Sequence, residues 1–179
     1  MGGRGHAQFI GAAGQHYVAY CLGVRGIHAG ITLGNVPNVD LIVAKRDGSA
    51  ALSLQVKTSS WAYCHNHFGK EVCQWPVGEA AVKRCSANLW YAFVDLQESD
   101  VHSWNPRVFL VPSQWVGNFV KEDWPLKLYM LPIEAWPQCL ERWDRINAFF
   151  NDETETLNWC RNIPLEAADW SQPPVGPAA

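Results

Sequence analysis

VDLIVAKRDGSAALSLQVK, residues 39–57, contains two apolar runs separated by a turn signal. The first run, Val39 to Ala44, is rich in the aliphatic and β-branched residues that favour strands, and Arg46-Asp47-Gly48 is typical of a hairpin turn. From Ala51 to Lys57 apolar and polar residues alternate, which predicts a strand with one buried face. The stretch therefore predicts a β-hairpin whose second strand ends in Gln55-Val56-Lys57.

Further elements are predicted on both sides of this hairpin. Apolar residues at helical spacing from Phe9 to Val24 predict an amphipathic helix, and residues 58–76 lack periodicity and are interpreted as a long loop. The other predicted elements are strands over 27–33, 89–96, 107–111 and 126–131 and helices over 79–86, 114–120 and 133–150. The order α-β-β-β-α-β-β-α predicts an α/β fold with a mixed sheet flanked by helices.

Composition limits the class of protein. Of 179 residues, 48% are hydrophobic and 17% charged, which excludes charge-driven disorder over most of the chain and predicts a packed core. No apolar run approaches the roughly 18 residues of a membrane span, and the N-terminus lacks a secretory pattern, so we expect a cytoplasmic protein with reduced cysteines. The predicted domains are a core over 1–122, an extension over 123–170 packed on it, and a disordered tail over 171–179.

Charge is distributed unevenly along the chain. Residues 1–60 contain five Lys and Arg against two acidic residues, a net charge of +3, whereas residues 121–179 contain five against ten, a net charge of −5. A basic N-terminal third favours nucleic acid as a partner there, with Lys57 and Arg4, Lys45 or Arg46 near phosphate. The acidic, tryptophan-rich C-terminal third favours a protein partner or a homodimer contact.

Three polar residues of the hairpin form the candidate site. Gln55 and Lys57 are two residues apart in a strand and therefore share a face, and pairing of the two strands brings Asp40 beside them. A carboxylate, an amide oxygen and an ammonium group then converge, which suits a hard cation such as Mg²⁺ and a lysine that orients water. The alternative is a solvated strand edge with local hydrogen bonds.

With these residues, the chain from about residue 8 to 115 resembles the PD-(D/E)XK nuclease superfamily, which includes restriction enzymes and archaeal Holliday-junction resolvases. The resemblance is carried by the helix with Gly14-Gln15-His16-Tyr17-Val18, by Pro37-Asn38-Val39-Asp40 and by Gln55-Val56-Lys57-Thr58. It implies an αβββαβ core, with Asp40, Gln55 and the backbone carbonyl of Val56 as metal ligands and Lys57 as a catalytic residue. Gln15 occupies the position of a helical glutamate in many members.

Two departures from the family pattern bear on activity. Gln15 and Gln55 each replace a carboxylate, so Asp40 is the only formal negative charge among the matched positions. Such a site is expected to hold Mg²⁺ or Mn²⁺ weakly in the absence of substrate phosphate. Two functions therefore stay open: a metal-dependent nuclease that hydrolyses phosphodiester bonds of DNA, and an inactive nuclease-fold protein that binds nucleic acid or protein.

The segment after Lys57 allows two other interpretations. Cys64, His65, His67 and Cys73 are zinc-ligating residue types, but their spacing matches none of the usual zinc pairs, so zinc is not expected. Aromatic and basic residues also interleave from Trp61 to Lys70. These aromatic side chains either pack under a folded loop or stack on unpaired bases.

Overall fold

The computed structural model describes residues 4–33, 39–66, 69–83, 85–97, 105–119 and 128–161. In chain order these residues form α1 (Arg4–Gly23), β1 (His28–Ile31), β2 (Leu41–Ala44), β3 (Ala51–Ser59), β4 (Tyr63–His65), β5 (Glu71–Pro76), α2 (Ala80–Lys83), β6 (Leu89–Asp95), β7 (Arg107–Pro112), α3 (Ser113–Phe119), β8 (Leu128–Pro132), a 3₁₀ turn (Ile133–Ala135), α4 (Trp136–Cys139), α5 (Asp144–Phe150) and α6 (Thr154–Arg161).

The main sheet has five strands in the order β1-β2-β3-β6-β7. All neighbouring strands are antiparallel except β3 and β6, which are parallel from Ser53 opposite Leu89 to Ser59 opposite Asp95. Helices flank this sheet, so the predicted α/β class with a mixed sheet is confirmed. The hairpin of β2 and β3 and the strands β6 and β7 lie within two or three residues of their predicted bounds.

The two faces of the main sheet are covered differently. Trp90 of β6 packs against Phe149 of α5 and Trp159 of α6, with ring centroids 5.5 and 5.3 Å apart. Phe93, three residues further along β6, packs against Trp75 and Tyr129 of a second sheet, which has the order β4-β5-β8. Because strand residues alternate between faces, helices cover one face and the second sheet covers the other.

The predicted loop over 58–76 is wrong for most of its length. β3 continues to Ser59, and both β4 and β5 lie within the segment. β5 is hydrogen-bonded on one side to β4 and on the other to β8, more than 50 residues away. β4 has only three residues, and in β5 the neighbouring residues Val72 and Cys73 are both buried. Neither strand shows the alternation by which periodicity indicates a strand.

The predicted long helix over 133–150 is also wrong. Pro137 lies in the first turn of the four-residue helix α4, where its missing N–H is tolerated. Leu140 then forms a β-bridge with Phe109, and Glu141 has a positive φ of 53°. The chain therefore leaves the helical conformation before α5 begins, and a further helix, α6, follows it. Similarly, the helix predicted over 79–86 is the short α2.

The tryptophans of the C-terminal third belong to the core where the structure describes them. Trp143 and Trp159 are buried, and Trp136 is half-buried against Phe109 and beneath the guanidinium of Arg107. These three side chains pack inside the protein and are not exposed to a partner. The expected protein or homodimer contact through the C-terminal third stays a prediction. The boundary predicted at 122/123 and the tail over 171–179 lie outside the described residues.

All six cysteines are free thiols, and four are buried in the core: Cys21, Cys73, Cys139 and Cys160. Burial raises the pKa of the Cys73 and Cys139 thiols to about 12 and that of Cys160 to about 11. Among the described helices, none is long and apolar enough to span a membrane.

Candidate functional site

Asp40 lies where the pairing of β2 with β3 ends. The ladder runs from Leu41 opposite Leu54 to Ala44 opposite Ala51, and the Asp40 N–H donates to the Leu54 carbonyl at 2.8 Å. The next N–H of β3 on this side, that of Val56, donates to the Asp40 carboxylate oxygen Oδ2 at 2.7 Å. The carboxylate therefore replaces a strand carbonyl as the partner of β3.

Gln15 and Gln55, the two glutamines at the positions that match the family pattern, both donate to the Asp40 carboxylate. Gln55 Nε2 lies 2.5 Å from Asp40 Oδ2, and Gln15 Nε2 lies 2.7 Å from Asp40 Oδ1. Gln55 is 7% exposed, and its buried amide oxygen Oε1 has no hydrogen-bond partner within the described part of the chain. Asp40, Gln55 and Gln15 thus form one cluster, in which a single carboxylate accepts three hydrogen bonds from neutral donors.

A glycine allows α1 to place Gln15 in this cluster. Gly14 packs directly against Thr58 of β3, and a Cβ atom at residue 14 would lie 1.9 Å from Thr58 Oγ1. No side chain fits there without moving the helix or the strand, because two non-bonded heavy atoms cannot approach so closely. Close packing at Gly14 therefore fixes the distance from Gln15 to Asp40.

Lys57 lies on the same face of β3 as Gln55 and opposite Phe93 of β6. Its side chain is half-buried, and within the described part of the chain its ammonium makes no hydrogen bond and no ion pair within 4 Å. Burial lowers the pKa of Lys57, and the nearby Asp40 carboxylate partly opposes this effect. A desolvated cation without a partner beside a carboxylate is a feature of functional sites.

The cluster offers oxygen ligands for a hard cation. The Asp40 carboxylate and the unpartnered Gln55 Oε1 are of the type that Mg²⁺ and Mn²⁺ prefer, once the amide N–H groups turn away from the carboxylate. The residues therefore fit such a cation, with one formal negative charge. In the described ranges no group of three or more His, Cys, Asp or Glu side chains is arranged to hold a metal, and His67 lies outside those ranges.

The cations expected near phosphate do not all gather at this site. Lys45 and Arg46 follow β2, so a four-residue strand, about 13 Å, separates them from Asp40. They lie at the opposite end of the hairpin, where Arg46 lines a surface cavity of about 480 Å³ with residues from the end of α1 and from β1. Lys57 is thus the cation of the cluster, and the Arg4 side chain lies outside the description.

A second carboxylate beside the site was missed from the sequence. Asp95, 1% exposed at the end of β6, accepts hydrogen bonds from the Ala62 N–H at 3.0 Å and the Gln97 N–H at 3.3 Å. Its Oδ2 atom pairs with the Arg107 guanidinium at 2.7 Å. A possible signal was the acidic residue that closes the apolar run LWYAFVD.

A comparison of the chain with protein-family models finds no match. Comparisons with curated proteins and with solved structures also find none. Any function assigned to the chain therefore rests on the residues and geometry of the Asp40 cluster.

Proposed function

We propose that the protein is a metal-dependent nuclease of the PD-(D/E)XK type that hydrolyses phosphodiester bonds of DNA. The observation that carries the proposal is the cluster on β3, where Asp40 and Gln55 are in contact and Lys57, on the same strand face, has no ion-pair partner among the described residues. The element order α1-β1-β2-β3, followed by β6 parallel to β3, supports the same assignment.

Each residue of the cluster has a distinct role in this proposal. Asp40 and the amide oxygen of Gln55 would hold Mg²⁺ or Mn²⁺, with the Val56 carbonyl as a further ligand. The cation would supply Lewis-acid stabilisation of the phosphate and a more acidic bound water. Lys57 orients the attacking water or stabilises the charge that develops on the phosphate oxygens. Gln15 holds the Asp40 carboxylate in position through its hydrogen bond.

A single carboxylate makes metal binding dependent on the substrate. In most oxygen-ligated sites several charges offset the cost of dehydrating the ion, whereas Asp40 is the only anion of this cluster and Lys57 opposes the cation. Phosphate oxygens would supply the missing negative charge. We therefore expect cation and nucleic acid to bind together, each increasing the affinity for the other.

The test is a cleavage assay on supercoiled, linear, single-stranded and branched DNA and on RNA, in Mg²⁺ and in Mn²⁺. The wild type is expected to cleave DNA, and Asp40→Asn and Lys57→Ala are expected to abolish cleavage. Arg46→Ala, at the other end of the hairpin, is the matched control and is expected to retain full activity. Cleavage that persists in both site variants would refute the assignment.

The second candidate is a nucleic-acid-binding protein without catalytic activity. It is favoured by one observation: both oxygens of Asp40 already accept hydrogen bonds from protein donors, two of them amide groups that stand in place of acidic ligands. In that case the wild type binds DNA without cleaving it. The affinity falls steeply with salt because phosphate contacts release counterions, and Lys57→Ala weakens it further.

A further inference from the structure

Trp61 is the exception among the tryptophans that the structure describes. It is 56% exposed, whereas the other six described tryptophans are buried or half-buried. Trp61 lies two residues beyond the end of β3 and four residues after Lys57. Four residues of extended chain span at most about 14 Å, so the Cα atoms of Trp61 and Lys57 lie within that distance of each other.

The backbone around Trp61 is fixed on both sides. Before it, the Ser59 carbonyl accepts a hydrogen bond from the Leu96 N–H at 2.9 Å, which extends the pairing of β3 with β6. After it, the Ala62 N–H donates to the buried Asp95 carboxylate, and the Ala62 carbonyl accepts from the Gln74 N–H at 3.0 Å. An exposed aromatic side chain is therefore carried by a short, well-anchored segment.

This arrangement matches the chemistry of single-strand recognition. Proteins that bind single-stranded nucleic acid combine cations that contact the backbone with aromatic side chains on which bases stack. A rigid attachment reduces the entropy lost when the indole is ordered against a base. In duplex DNA the base faces are already stacked on one another, so an indole outside the duplex gains little from them.

We propose that Trp61 is a binding residue that stacks on an unpaired base of a DNA strand whose phosphate lies at Lys57. The inference rests on the proposed function and narrows its substrate to single-stranded DNA or to DNA with unpaired bases near the contacted phosphate. Trp61 supplies affinity for the base, and Lys57 supplies the contact to the phosphate.

The test measures binding by fluorescence anisotropy, with a labelled single-stranded 20-mer and the duplex of the same sequence, in EDTA so that no strand is cut. Trp61→Ala is expected to weaken single-strand binding roughly 5- to 150-fold, the effect of one lost base–aromatic stack. Duplex binding is expected to change less than about twofold. Trp61→Phe, which keeps an aromatic face, is expected to retain most of the affinity.

Tyr20→Ala is the matched control, because Tyr20 is an aromatic residue on α1 with 64% exposure and no place in the proposed contact. Single-strand affinity equal to wild type in Trp61→Ala, together with weakened binding in Lys57→Ala, overturns the stacking role and leaves the proposed function standing. Equal losses for single strand and duplex also overturn it. Absence of any nucleic-acid binding by the wild type, both in EDTA and with Mg²⁺ or Mn²⁺ present, overturns both proposals.

Discussion

Two carboxylates lie at the ends of β2 and β6, the strands on either side of β3, and their hydrogen-bond partners differ. Among the described residues, Asp40 and Asp95 each accept three hydrogen bonds. The donors to Asp95 include the Arg107 guanidinium, whereas those described for Asp40 are all neutral. Lys57, on the same face of β3 as Gln55, forms no ion pair with Asp40 within the described residues. Asp95 is thus neutralised by the fold, while the charge of Asp40 remains available to a ligand from outside.

The largest effect is expected from removing the charge of Asp95. Asp95→Asn leaves the Arg107 guanidinium without its anion in a largely buried position, and the free energy of unfolding is expected to fall by about 3 kcal/mol. Asp40→Asn removes a charge with no paired cation, and we expect a loss of about 1 kcal/mol. Urea denaturation of both variants measures the difference. Equal losses would show that the two carboxylates do not have distinct roles.

Shifting α1, the helix that carries Gln15, is expected to have the next largest effect on the free energy of unfolding. Gly14→Ala places a methyl group on the Thr58 hydroxyl, so α1 must shift at a cost of about 1–3 kcal/mol. The shift also moves Gln15 away from Asp40, and any cleavage activity is expected to fall with it.

Gly11→Ala is the matched control, because it lies one turn earlier on α1 and a Cβ atom there meets nothing within 4 Å. This variant is expected to stabilise the helix by up to about 1 kcal/mol. Thermal unfolding that ranks the two variants in the opposite order would contradict the close packing of Gly14 on β3.

The third prediction concerns a second negative charge next to Asp40. Gln55→Glu adds an anionic oxygen to the cluster and is expected to tighten Mg²⁺ or Mn²⁺ binding by about 1–3 kcal/mol. Without metal, the two adjacent carboxylates repel each other, so the variant is expected to unfold more easily until metal is added. Calorimetric titration checks the affinity, with Gln138→Glu on α4 as the control. No gain over wild type, with DNA present, would show that Gln55 is not a metal ligand.

The smallest effect is expected from removing the charge of Lys57. Burial lowers the pKa of Lys57 in the folded protein below its usual value of 10.5, so the charged form destabilises the fold at neutral pH. Lys57→Met is expected to raise the free energy of unfolding at pH 7, because it removes a desolvated charge, and to abolish activity. Lys45→Met, at the other end of the hairpin, is expected to change it by less than about 0.5 kcal/mol.

The pH dependence of the free energy of unfolding tests whether the pKa of Lys57 is lowered. Between the lowered folded pKa of Lys57 and the unfolded value, the unfolded chain binds more protons, so wild-type stability rises with pH in that window. The advantage of Lys57→Met is therefore expected to shrink as the pH approaches 10.5. Thermal unfolding of the two proteins at pH 7 and pH 10 measures it. An advantage that grows with pH would contradict a lowered pKa.

The sequence predicts well those features that depend on residues close together along the chain. The hairpin of β2 and β3 follows from two apolar patterns and one turn, and its register alone brings Asp40 opposite Gln55. The contact of Gln15 with Asp40 depends on the packing of Gly14 on Thr58, across more than 40 residues, and local patterns do not contain it. The bridge of Leu140 with Phe109 that interrupts the predicted long helix is equally non-local.

The second sheet can be completed only late in the synthesis of this protein, because β8 is made well after β4 and β5. β5 lies between β4 and β8, and roughly 50 residues separate the end of β5 from the start of β8. At about 5–20 residues per second, a ribosome needs on the order of 3–10 seconds to add them. During that interval one edge of Glu71–Pro76 lacks its native strand partner and presents unpaired backbone groups. We therefore expect a nascent chain to be prone to misassociation through this edge until Leu128–Pro132 emerges, and a chaperone would protect it during that interval.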